Sequence, residues 1–115
     1  MDFDLSEEHL LLQQGARDFA DRVLKPAASR IDRDESFPVE HWKALTEAGF
    51  LGILIPEEHG GSGLGNLALA CVLIELNRGC ASTGVTVSVH NSLVGAPLRR
   101  HGCTLPSRHH RDDWP

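Results

Sequence analysis

Apolar residues recur at helical spacing early in the chain. Leu12, Ala16, Phe19, Ala20, Val23 and Ala27 follow one another at steps of one, three and four, with Gln13, Arg17, Asp21 and Arg22 off the stripe. That period predicts one amphipathic helix face. Ser6 is placed to cap it, with Glu7 and Glu8 at the positive end of the macrodipole and Leu5 and Leu10 as a hydrophobic staple. Pro26 should kink or interrupt this helix. A charged stretch, Arg30 to Glu35, reads as solvated, and Phe37-Pro38 then opens a second helix with the proline in its first turn. Trp42, Leu45 and Ala48 are expected to face inward, and Gly49 to end the helix.

The apolar run from Phe50 to Pro56 is too short for a helix and predicts an extended, buried segment. Four glycines between His59 and Gly65 make the following loop. Asn66 is placed to cap a third helix over 67–78, apolar on every side and so expected to be buried all round. Residues 82–89 leave two patterns open. Val85, Val87 and Val89 alternate with polar residues as in a strand, while Val85, Val89, Leu93 and Ala96 share a helical face with Ser82 or Thr83 as cap.

With 115 residues, 41% of them hydrophobic, the chain is sized for one modest core. A net charge of -5 disfavours nucleic acid and anionic membrane as partners. The charge is uneven: 1–98 is net negative and 99–115 net positive, with Cys103, Leu105 and Trp114 as the tail's few core candidates. A boundary near Gly102 follows, separating a domain over 1–102 from a tail over 103–115 that is expected to be disordered. Three cysteines without CxxC spacing give neither a disulfide framework nor a zinc site. The acidic start resembles no targeting peptide and no apolar run spans a bilayer, so a cytoplasmic protein is expected.

Candidate chemistry is thin. The glycine loop is spaced GxGxG, and Asn66-Leu67 stands where a phosphate loop needs Lys and Ser or Thr, which favours a connecting loop. His109-His110 point apart and favour a solvated tail over a metal pair. Glu75, in an apolar helix, is a candidate acid or base, with pairing to Arg78 at i+3 as the favoured alternative. His90 with Ser88 or Ser92 lacks an acidic orienter in sequence. No catalytic, cofactor-binding or metal residue is assigned within the chain.

The segment from Arg78 through Thr83-Gly84-Val85 to His90-Asn91-Ser92-Leu93 resembles the signature of the flavin-dependent acyl-CoA dehydrogenases, nearest the short-chain, butyryl-CoA type. Leu5-Ser6-Glu7-Glu8 with Ala16 to Ala20 and Pro26 resembles that family's first helix, and Ile55 to Gly65 its loop before the third helix. The resemblance covers about residues 3 to 102. It implies an all-α bundle of four to five helices, the N-terminal domain of an enzyme that also has a β-domain and a C-terminal helical bundle. In that family FAD lies between those two absent parts, a glutamate of the C-terminal bundle takes the α-proton of a fatty acyl-CoA, and the enzymes are homo-oligomers. What this domain would supply is wall of the acyl tunnel, from the helix carrying Thr83 to Leu93, with Thr86, Val89 and Leu93 as pocket residues. The resemblance also resolves 82–89 as helix.

The tail from Cys103 to Pro115 departs from the family's pattern, which a frameshift, a shortened reading frame or a split gene would each explain. Two functions are therefore expected to compete. One is an N-terminal part of an acyl-CoA dehydrogenase that binds no FAD and is inactive alone. The other is a non-catalytic helical module that binds a partner polypeptide, such as a separately encoded remainder. Loss of a covering neighbour should leave an apolar face exposed and the chain prone to self-association.

Overall fold

The computed structural model describes residues 4–37 and 39–102. They form four helical rods, with no strand among them. The first runs unbroken through α1 (Glu7–Phe19), a π-helical turn (Ala20–Leu24) and α2 (Lys25–Asp34). The second is α3 (Val39–Ala48), the third α4 (Asn66–Gly79). The fourth joins α5 (Ala81–Val89), a second π turn (His90–Gly95) and α6 (Ala96–His101). The all-α bundle is as expected, whereas the anticipated disordered tail lies outside the described residues.

Each π turn stands directly before a proline, and the reason is steric. In an α-helix a proline ring collides with the carbonyl four residues back and offers no N–H to it. Here Lys25, before Pro26, donates instead to the Ala20 carbonyl five residues back, and Ala96, before Pro97, donates to Asn91. The kink or interruption expected at Pro26 takes the form of this wider turn, through which the rod continues.

The stripe on the first rod is the core face: Ala16, Ala20 and Leu24 have no exposure, and Phe19 meets Phe50 edge to face at 5.5 Å. Opposite them lie Ala68, Leu69, Val72 and Leu76 of α4, with Leu45 and Val87 closing the core. Full burial of one such leucine contributes about 2 kcal/mol. Gly79 ends α4 against the π turn, where a Cβ would lie 2.9 Å from that of Ala20. Ser6 caps α1 as expected, accepting from the His9 amide at 3.3 Å.

Five local expectations are corrected. Residues 50–55 are not extended: Phe50–Gly52 is a 3-10 turn, and the amides of Gly52 and Ile55 bond three residues back, with no strand among the described residues to pair with them. Asn66 is not a cap but the first helical residue, with Gly65 in the cap position. Cys80, rather than Ser82 or Thr83, precedes α5. Ala48 is exposed, and its inward place is taken by His41, which is 3% exposed. Finally α4 is not buried all round: Leu67, Ala70 and Ile74 form an exposed stripe.

Candidate functional site

The rod over residues 81–101 presents two different sides. Its inner side carries Thr83, Gly84, Val87, Asn91 and Gly95, all buried. Gly84 lies so close to α4 that a Cβ there would stand 2.4 Å from the Asn77 side chain. Asn91 has no exposure and three partners. Its Nδ2 donates to the Phe50 and Val87 carbonyls at 3.0 Å each, and its Oδ1 accepts from the Leu54 amide at 3.4 Å. One buried amide thus ties the π turn to the 50–55 segment, and nothing in the helical pattern marks this role.

The outer side is apolar and open. Val85, Val89 and Leu93 recur every four residues at 57%, 40% and 68% exposure, flanked by the exposed Val94 and Leu98. Of the predicted pocket residues, Val89 and Leu93 therefore share this open face. Thr86 is half-buried, and its hydroxyl donates to the Ser82 carbonyl at 2.9 Å. From Gly79 to Leu98 there is no Asp, Glu, Lys or Arg, the longest such stretch in the chain.

The other candidates resolve into structural roles. Glu75, with its side chain 3% exposed, accepts from Arg17 Nε and Nη2 at 3.3 and 3.2 Å, from Arg78 Nε at 3.1 Å and from Gln13 at 3.3 Å. Bonding to Arg17 first, and then to Arg78, outweighs burial and holds its carboxyl below the usual range. It is an ionised anchor between α1 and α4, and the Arg17 partner lies 58 positions away. Ser92 Oγ donates to the Ser88 carbonyl at 2.6 Å, while the His90 ring stands edge-on to Trp42 at 5.3 Å. Among the described residues no His/Cys/Asp/Glu group is arranged to hold a metal.

In the glycine loop the amides of Gly60, Gly61, Ser62, Gly63 and Leu64 all bond backbone carbonyls, so they do not converge on a phosphate. The loop borders an open cleft of about 570 Å³ whose lining includes Glu57, Glu58, Arg99 and Arg100.

The profile described as "Acyl-CoA dehydrogenase, N-terminal domain" matches residues 6–104. The chain belongs to the acyl-CoA dehydrogenase family. It is 44% identical over 99 residues to the short-chain specific acyl-CoA dehydrogenase, mitochondrial, of Rattus norvegicus, covering 86% of this chain and 24% of that one. It is 39% identical over 102 residues to the acyl-CoA dehydrogenase, short-chain specific, of Clostridium acetobutylicum, covering 89% and 27%. The structure of butyryl-CoA dehydrogenase from Megasphaera elsdenii superposes with a TM-score of 0.81 at 27% identity, over 90% of this chain and 28% of that one. The chain spans about a quarter of the length of the relatives it matches.

A flavin is the cofactor that this family implies, and the described residues do not fit one by themselves. The amides of residues 60–64 are already bonded to backbone carbonyls, and Glu57 and Glu58 share the cleft wall with Arg99 and Arg100. No helix among the described residues is long and apolar enough to cross a membrane.

Proposed function

We propose that this chain is the N-terminal helical portion of a fatty acyl-CoA dehydrogenase and supplies acyl-pocket wall through Thr86, Val89 and Leu93. The observation that carries this is the two-sidedness of the 81–101 rod. Asn91 and Gly84 fix its inner side, while Val89 and Leu93 stand uncovered on a face without formal charge. Such a face suits an alkyl chain, and bulky residues at 89 and 93 would make the tunnel shallow, in keeping with a short acyl group.

In this reading the carboxylate base and the flavin belong to parts of the enzyme beyond the 115 residues, and acyl-CoA is the substrate of the complete enzyme. Glu75, held ionised by two arginines, has no free lone pair directed at a substrate and positions α1 on α4. The chain alone is then expected to carry no FAD and to dehydrogenate no acyl-CoA.

The test is purification of the chain followed by its visible spectrum, flavin titration and butyryl-CoA turnover with an artificial electron acceptor. Colourless protein without turnover agrees with the proposal. A stoichiometric bound flavin, on the order of one per chain, would overturn it, because that requires a complete cofactor pocket.

A further inference from the structure

We propose that α3 is an acid-released flap: proton uptake by His41 frees this helix from the bundle while the first, third and fourth rods stay packed. The inference concerns a different element from the pocket wall and does not depend on that assignment. Its first ground is how little holds α3. Of its ten residues only His41 and Leu45 are buried, whereas α4 buries seven of its fourteen. A helix of that length is not stable in water by itself, so α3 depends on those two side chains for its place. Its other links lie at the surface. Trp42 stands edge-on to His90 at 5.3 Å, and Glu40 pairs with Arg30 of α2 through side chains that are both more than half exposed, where an ion pair adds little.

The second ground is the chemistry of one of those two residues. His41 is 3% exposed and its Nδ1 has no hydrogen-bond partner. A neutral imidazole tolerates that place, but an imidazolium would bury an N–H without an acceptor and a charge without water. The charged groups beside it are Glu40 on its own helix, which favours the imidazolium, and Arg30 of α2, which opposes it. Burial outweighs both, so the closed bundle keeps the ring neutral to lower pH than usual. Arg30 in turn holds the Glu40 carboxyl below its ordinary range, so that pair stays ionised between pH 7.5 and 5.5 and is not the group that titrates. The third ground is the backbone on either side of α3. Glu35 has a φ of 49°, uncommon for a residue with a Cβ, and Gly49 a φ of 82°. Bounded by these two left-handed breaks, α3 can leave without unwinding a neighbouring rod. Its departure lifts Trp42 from His90, the first residue of the second π turn.

Amide hydrogen exchange of the full chain, followed by NMR and divided by the intrinsic rate at each pH, tests this. At pH 7.5 the α3 amides should be at least about tenfold less protected than those of α4, and their exchange should depend less on added urea, as a partial opening requires. Lowering the pH to 5.5 should then raise the opening of α3 roughly tenfold, the limit for one proton taken up by a group of ordinary pKa near 6.5. His41→Met should remove that pH dependence. Should this variant lose helicity, His41→Gln serves, since neither side chain takes up a proton. Three results would overturn the proposal: α3 and α4 amides sharing one protection and one urea dependence, which means that the bundle opens as a single body; protection of α3 that does not change with pH; or the same fall with pH in the His41 variant as in the wild type.

Discussion

Glu75→Gln is expected to remove about 2 kcal/mol of stability at pH 7 and to flatten the acid limb of the stability curve. The carboxylate has four hydrogen bonds from Gln13, Arg17 and Arg78 at 3.1–3.3 Å. Glutamine keeps the shape but retains one acceptor oxygen and turns an NH₂ donor toward guanidinium donors. Breaking a fully buried pair costs about 3–5 kcal/mol and losing a hydrogen bond to a charged group about 1.5–3. Because the Arg17 and Arg78 side chains are 52% and 40% exposed, water can re-solvate them, which places the cost in the lower range.

For a domain of this size such a loss lowers Tm by about 10 °C. The depressed carboxyl pKa, caused first by Arg17, means that the stabilisation is complete above the ordinary value near 4.5 and is lost as pH falls through the folded value. Urea unfolding followed by circular dichroism, at a concentration low enough to keep the chain monomeric, gives the wild-type minus variant difference from pH 7 to pH 2. A difference below about 0.5 kcal/mol at pH 7, the usual size of a surface change, would refute the anchoring role. So would a difference that does not narrow in acid.

Gly84→Ala should cost up to about 1 kcal/mol, since its Cβ would lie 2.4–2.5 Å from Asn77 side-chain atoms and Asn77, exposed, must turn away and give up its bond to the Leu73 carbonyl; in an Asn77→Ala background the same change should be neutral or mildly stabilising, as alanine favours helix. Equal costs in both backgrounds by urea unfolding would show that Asn77 is not the obstacle. His41 is buried with Nδ1 unpartnered, and burial chiefly lowers its pKa. The unfolded chain then binds a proton below about 6.5 that the folded chain refuses, so stability should fall as pH drops from 7.5 toward 5. His41→Met should have a shallower slope over that window in the same assay, and an unchanged slope would remove His41 as the cause.

Local signals in the sequence settled much of the architecture. Ser6 capping α1, the Leu12 to Ala27 stripe, Gly49 ending α3 and the Glu75–Arg78 pair depend on neighbours within a turn or two, and each is present in the structure. The ambiguous 82–89 segment could not be resolved by period, because alternating valines satisfy both a strand and a helix face. Burial of Thr83, Gly84 and Val87 against α4 decides for helix. The same limit explains the rest. Arg17 meets Glu75 across 58 positions, Asn91 bonds Phe50 across 41, and α4 exposes Leu67 and Ile74 because no described element packs there. Nor does a proline state whether a helix will break or widen into a π turn. That choice belongs to the packing of Ala20, Leu24, Asn91 and Gly95, which keeps each rod continuous on the side facing the core. Composition and period thus indicated a mostly helical domain, while contacts between distant segments decided which side of the 81–101 rod is held and which is left open.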